Sequence, residues 1–206
     1  YVPNPLDVPD GELEYVSFNE QNNIEVWWNN VTDSNIISNI LYDGSNSRLQ
    51  RGSINKNETY LHKISAPKDA SCYNLTYFDR CDQEGKSMNK HCPVILELSS
   101  DKDFSVTLNW SAYMGWNVVD FYTVYIVDKK GNLNQIARVT SDILSYTHEW
   151  LCNSSYTYVI RASSGDLNSW SNREAITPRY HGITERPSIK VASVDEDSKI
   201  NVKWEH

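Results

Sequence analysis

The stretch NIEVWW, residues 23–28, alternates apolar and other side chains and ends on a tryptophan. Ile24 and Val26 fall on the same face as that tryptophan, which is the two-residue period of a β-strand with one buried side. The pattern recurs in FSVTLNW, residues 104–110, and in SKINVKW, residues 198–204. Each copy follows a strand-like segment and a polar turn, so each predicts the opening hairpin of a module. The residues predicted to anchor the three cores are Trp28, Trp110 and Trp204.

The spacing of these tryptophans, 82 and then 94 residues, is the length of one small β-sandwich. Period-two alternation continues in FYTVYIV, residues 121–127, and in SYTYVIRA, residues 155–162. No stretch shows the three- and four-residue spacing of an amphipathic helix. The sequence therefore predicts an all-β fold of tandem, immunoglobulin-like β-sandwiches.

Composition and proline-rich segments predict the boundaries of these modules. The Pro-rich start reads as a linker, and a second linker, PRYHGITERP, follows the second module. Almost no connecting residues separate the two modules at Pro93, which predicts a stiff joint there and a looser one after Thr177. The predicted segments are linker 1–10, sandwich 11–92, sandwich 93–177, linker 178–187, and the first two strands of a third sandwich at 188–206, which suggests a fragment of a longer protein.

Charge and motif content exclude several classes of function. The net charge is −8, the sequence pI is about 5.1 and no lysine or arginine cluster occurs, so we expect no nucleic-acid partner. No apolar run approaches the roughly 20 residues of a membrane helix, so we expect no membrane span. The histidines lack metal-ligand spacing, and no catalytic or nucleotide-binding motif appears. We therefore expect no enzymatic activity, no cofactor and no metal.

Three short motifs carry a family resemblance. The second module contains L-x-W-x-x-Y-x-G-W and SWSN, and the first contains an Asp-x-Cys segment. These resemble the fibronectin type III-like repeats of large cell-surface proteins of Bacteroidota, the gliding-motility-associated adhesins exported by type IX secretion. The matching positions are Leu108, Trp110, Tyr113, Gly115, Trp116, Ser169 to Asn172, Asp79 and Cys81.

The resemblance implies extracellular, non-catalytic spacer and adhesion modules joined end to end, which would reach the secretion and attachment machinery through parts outside this chain. Tyr180 is followed by HGITERP, not by the Tyr-x-Pro-Asn that opens the family's sorting signal. Two other readings remain open. One is a glycan-binding accessory module of a secreted carbohydrate-active enzyme. The other is a cytokine-receptor-like ectodomain, whose Trp-Ser-x-Trp-Ser box NSWSN resembles without its first tryptophan.

Candidate ligand contacts lie on the loop after the Trp110 strand. Tyr113 and Trp116 could bind a surface glycan or a protein from an exposed loop, or Trp116 could fold back over the edge of the sandwich. Other aromatic positions predict structural roles. Tyr156 begins a strand as the tyrosine of a tyrosine corner does, and Arg161 can stack on Trp170. Tyr73, in CYNLTYF, is assigned a structural role with them.

The four cysteines are Cys72, Cys81, Cys92 and Cys152. Cys72 and Cys81 bracket one strand and lie too far apart to bond. Cys152 begins a strand at the end of the second module that points away from the first. Cys81 and Cys92 flank the segment DQEGKSMNKH between neighbouring strands, so they are the predicted disulfide pair.

Overall fold

The chain is built almost entirely of antiparallel strands, and the helical structure among the described residues is one 3₁₀ turn at Pro67–Asp69. This confirms the predicted all-β fold class of tandem fibronectin type III-like sandwiches. The computed structural model describes residues 10–29, 35–44, 47–53, 58–81, 83–180 and 188–205.

The N-terminal body, which we call the first sandwich, has two facing sheets in the orders β1-β2-β5 and β4-β3-β6. Its strands are β1 (Leu13–Phe18), β2 (Ile24–Trp28), β3 (Ile36–Asp43), β4 (Arg48–Ser53), β5 (Glu58–His62) and β6 (Tyr73–Asp79). Alternate residues of β2 point inward, as the sequence pattern requires. The core between the sheets comprises Leu13, Val16, Phe18, Ile24, Val26, Trp28, Ile36, Leu41, Tyr73, Leu75 and Tyr77.

The second sandwich repeats this order with an added closing strand. One sheet is β11-β8-β7; the other is β10-β9-β12-β13, with β14 also paired to β12. The strands are β7 (Leu96–Ser99), β8 (Val106–Trp110), β9 (Phe121–Val127), β10 (Leu133–Thr140), β11 (Ser145–His148), β12 (Tyr156–Ser164), β13 (Leu167–Trp170) and β14 (Glu174–Ile176). Its core includes Val94, Leu96, Val106, Leu108, Trp110, Tyr113, Tyr122, Val124, Leu151, Tyr158, Ile160 and Ala162.

Two of the three predicted anchors are confirmed, because Trp28 is 2% exposed and Trp110 is 5% exposed. The third copy forms a hairpin of β15 (Ser188–Val194) and β16 (Ile200–Glu205). The side chain of Trp204 lies outside the described part of the chain, so its burial stays a prediction. The domain boundaries also stay predictions, and most of the two predicted linkers lies outside the described residues.

The predicted Cys81–Cys92 disulfide is wrong, because Cys92 is bonded to Cys72 with the two Cα atoms 4.1 Å apart. The segment after β6 is not a simple loop. It runs back along β6 through bridges from Phe78 to Glu84 and from Tyr73 to His91. Cys92 therefore lies opposite Cys72, while Cys81 lies at the far end of β6. Cys81 and Cys152, the latter on the second sandwich, are both exposed free thiols.

Candidate functional site: the joint between the two sandwiches

The outer edge of β1 is where the two sandwiches meet. An edge strand exposes backbone N–H and C=O groups that need partners. Here side chains of the second sandwich supply them: Trp116 Nε1 donates to the Glu14 carbonyl at 2.7 Å, and Ser169 Oγ donates to the Val16 carbonyl at 2.7 Å. The sandwiches therefore overlap along an edge and are not joined purely end to end, which corrects that expectation.

Tyr113 lies at the centre of this joint. Its hydroxyl accepts a hydrogen bond from the Val16 N–H at 3.1 Å and lies 2.7 Å from His91 Nδ1, so it can donate a hydrogen bond to the neutral imidazole. Burial holds the pKa of His91 down to about 4 and raises that of Tyr113, which keeps both groups neutral. The prediction that Tyr113 contacts a ligand from an exposed loop is wrong, because Tyr113 is 5% exposed.

Trp116 packs against the core of its own sandwich, as one of the two expectations had it, and also reaches across the joint. Its ring centroid lies 3.9 Å from that of Tyr113, and its N–H reaches Glu14 in the first sandwich. Gly115 makes this approach possible: its φ is +125°, and a Cβ there would lie 2.3 Å from Cγ of His91. Trp116 is half-buried and lines a cleft, so a role in ligand contact stays a prediction for this residue alone.

The SWSN stretch holds both the joint and its own sandwich. Besides the Ser169 contact, the Trp170 N–H donates to Ser17 Oγ at 2.9 Å, again across the joint. Asn172 turns the other way. Its side chain accepts the Leu96 N–H at 2.7 Å and donates to the Leu96 carbonyl at 3.0 Å, which ties β7 to the opposite sheet of the same sandwich.

The connecting segment is fixed to both bodies. Cys92 exchanges backbone hydrogen bonds with Met114 of the second sandwich, at 2.9 and 3.3 Å, while its disulfide holds it to the first. At the other end of the joint, the β1–β2 turn touches the second sandwich. Asn22 and Arg173 bond reciprocally, side chain to backbone, at 2.7 and 3.0 Å, and Arg173 pairs with Glu20 at 2.9 Å.

The remaining predicted structural residues occupy supporting positions. Tyr156 accepts the Cys152 N–H at 3.1 Å, the backbone contact expected of a tyrosine corner. The Arg161 guanidinium lies 5.5 Å from the Trp170 ring and 5.3 Å from the Tyr125 ring, which confirms the predicted stack. Tyr73 is fully buried, and its hydroxyl lies 2.7 Å from His62 Nδ1.

Two clefts flank the joint. One lies between β1 and β13 and is lined by residues that include Tyr15, Glu25 and Trp170. The other lies beside Trp116 and has a largely polar lining with three carboxylates. Over the described ranges, no group of three or more histidine, cysteine, aspartate or glutamate side chains could hold a metal ion, and no helix could cross a membrane.

Comparisons with known proteins return only remote likenesses. No protein-family model and no curated protein matches the chain. The two-domain fibronectin type III segment of chicken tenascin is 14% identical over 82% of this chain and 98% of that chain, with a TM-score of 0.34. The FN1–FN3 domains of chicken CNTN1 are 15% identical over 84% and 66%, with a TM-score of 0.37.

A pectate lyase, Pel3 of Pectobacterium carotovorum, also matches at 25% identity over 49% of this chain, with a TM-score of 0.35. The chain spans 30% of the length of that enzyme.

Several joint residues escaped the sequence reasoning, notably Val16, His91 and Ser169, as did the bracing role of Asn172 within the second sandwich. SWSN was noted only for its resemblance, although a run of small hydroxyl and amide side chains beside a closing strand could have suggested contacts with an edge. His91 carried no signal, because a single histidine next to a cysteine is ordinary.

Proposed function

We propose that this chain is a stiff pair of spacer and adhesion modules, without catalytic activity, from a large secreted or surface-attached protein. The observation that carries this proposal is the joint. The second sandwich supplies buried hydrogen bonds to Val16 and partly buried ones to Glu14 and Ser17 on the edge of the first. A joint held in this way transmits a pull as one body, because hinging would break these hydrogen bonds.

The finer assignment is to gliding-motility-associated adhesins of Bacteroidota that are exported by type IX secretion. It is supported by the motif residues of the second sandwich and by the disulfide, since disulfides persist mainly in oxidising, extracytoplasmic compartments. Antibodies against this chain should label intact cells of the source bacterium. Loss of that labelling on deletion of the type IX machinery is the expected result, and unchanged labelling would contradict this assignment.

Stiffness can be measured through the two native free thiols. Cys81 belongs to the first sandwich and Cys152 to the second, and both are exposed. Spin labels on these thiols should give one narrow distance distribution by double electron–electron resonance. A broad or multimodal distribution would contradict the stiff spacer. Singly labelled Cys81→Ser and Cys152→Ser proteins control for intermolecular pairs.

A glycan-binding module is the second candidate, and one observation favours it. Trp116, although recruited to the joint, still lines an open polar cleft.

A further inference from the structure

The cleft beside Trp116 crosses the joint and has a volume of about 570 Å³, within the range of small-molecule sites. Its first wall comes from the start of β1 and from Asn89 and His91. Its second wall comes from residues 115–118. The cleft exists only while the two sandwiches are docked, so the hydrogen bonds of the joint also fix its shape before any ligand arrives.

The indole of Trp116 is held from two sides. The Tyr113 ring stacks against it with a centroid distance of 3.9 Å, and the indole N–H donates to the Glu14 carbonyl. An aromatic ring fixed in this way offers apolar contact area at little cost in conformational entropy. It suits the C–H face of a sugar ring, which is apolar and flat enough to lie on an indole.

Three exposed asparagines, Asn29, Asn89 and Asn117, line the same cleft. A carboxamide both donates and accepts hydrogen bonds. Because the Asn29 amide donates to the Glu14 carboxylate, Asn89 and Asn117 carry most of the match to a ligand with hydroxyl groups on several sides. A purely apolar ligand would leave these amides without compensation for lost water.

The charge of the cleft further restricts the class of ligand that it can bind. Asp10, Glu12 and Glu14 line it, and no lysine or arginine does. His91, also in the lining, is neutral above its pKa of about 4. Carboxylates accept hydrogen bonds from hydroxyl groups but repel anions, so glycans that carry acidic groups are disfavoured.

We propose that this cleft binds a neutral oligosaccharide, with a sugar ring against Trp116 and hydroxyl groups bonded to the asparagines and carboxylates. This inference rests on the adhesion part of the proposed function and names its ligand class. A basic peptide would also be attracted by the carboxylates, but it would make less use of three amides.

The test titrates the full chain with four neutral tetrasaccharides, namely those of cellulose, xylan, mannan and amylose, followed by the amide and indole N–H signals in ¹H–¹⁵N NMR spectra. We expect at least one to bind saturably in the millimolar range or tighter and to shift the Trp116 indole signal. An alginate tetrasaccharide of equal length should not bind. Asn89→Ala and Asn117→Ala should each weaken binding several-fold, and about tenfold or more in combination.

Asn153→Ala, an exposed asparagine on the far end of the second sandwich, is the matched control and should bind as the wild type does. Trp116→Ala alone would be ambiguous, because it also removes a joint contact. Binding of none of the four sugars, equal binding of the alginate, or saturable binding of decalysine at this cleft would each overturn the inference. The Cys81–Cys152 distance is independent of the outcome, so the stiff spacer and the glycan site can fail separately.

Discussion

The two sandwiches share a strand order but close in different ways. The second completes its larger sheet with β13 and β14, and Asn172 ties that edge to β7 within the same body. In the first, the described residues form no regular strand in the corresponding place. Its return segment makes only isolated bridges to β6, and the edge of β1 is covered by Tyr113 and Ser169 of its neighbour.

This difference indicates that the two sandwiches do not have equal sources of stability. Both bodies take backbone partners from the joint, because Ser17 and Asn22 of the first accept the Trp170 and Arg173 N–H groups of the second. The first depends in addition on a disulfide that holds its return segment. Changes in the second should therefore be felt more strongly in the first than the reverse.

The largest expected effects come from the two buried tryptophans. Trp28→Ala and Trp110→Ala should each cost about 3–5 kcal/mol of the free energy of unfolding of their own sandwich. Trp110→Ala should also destabilise the first sandwich, because the docking surface is lost. Urea unfolding followed through NMR signals of each sandwich measures both effects. An unchanged first sandwich in Trp110→Ala would break the comparison.

Removing the disulfide should act on the first sandwich alone. Cys72 and Cys92 are 20 residues apart, and a cross-link over that length stabilises by about 3 kcal/mol. We expect the double variant Cys72→Ser/Cys92→Ser to lower the melting temperature of the first sandwich and to leave that of the second nearly unchanged. Cys81→Ser, an exposed thiol, is the matched control, with an effect within about 0.5 kcal/mol. Equal losses in both sandwiches would count against the comparison.

Acidification should weaken the joint through His91. Its folded pKa of about 4 lies below its ordinary value of 6.5, so the unfolded chain takes up the proton first. Its contribution to stability is complete above pH 6.5, declines as the pH falls towards 4, and then levels off, a change of up to about 3 kcal/mol. His91→Gln should flatten this part of the pH profile. Burial also lowers the pKa of His148, so His148→Gln should affect the second sandwich instead.

The smallest predicted effect comes from one hydroxyl, whose removal breaks the hydrogen bonds to Val16 and His91. Tyr113→Phe leaves the buried Val16 N–H without its partner, which should cost about 1–3 kcal/mol in the first sandwich although the change is in the second. Tyr156→Phe removes a bond within the second sandwich and should destabilise only that body. Chemical denaturation of both variants gives the comparison, and a loss confined to the second sandwich in Tyr113→Phe would contradict it.

The sequence predicted what depends on local pattern. Alternation in NIEVWW and FSVTLNW requires one buried face, so the hairpins and the burial of Trp28 and Trp110 followed. The prediction of the disulfide pair was wrong because residues 82–91 were treated as a loop. Taken as the return arm of a hairpin with β6, residues 83–91 reach the Tyr73–His91 bridge, and the same register places residue 92 opposite residue 72.

The prediction that Tyr113 is exposed was wrong for a different reason. Its position on a loop between strands suggests exposure, but its ring belongs to the core of the second sandwich and its hydroxyl bonds to β1, about a hundred residues earlier in the chain. No local period reports such a contact, because the partner is a backbone amide and carries no side-chain signature. The same holds for Ser169 and Ser17, whose residue types are ordinary on a surface.

The central claim is that the second sandwich completes the edge of the first, and native-state hydrogen exchange at the Val16 amide tests it most directly. The Val16 N–H points away from β2, and its partner is the Tyr113 hydroxyl. We predict that this amide exchanges as slowly as the core amides of the first sandwich and is released in Tyr113→Phe. Rapid exchange in the wild-type chain, at the rate of an open edge strand, would contradict the account.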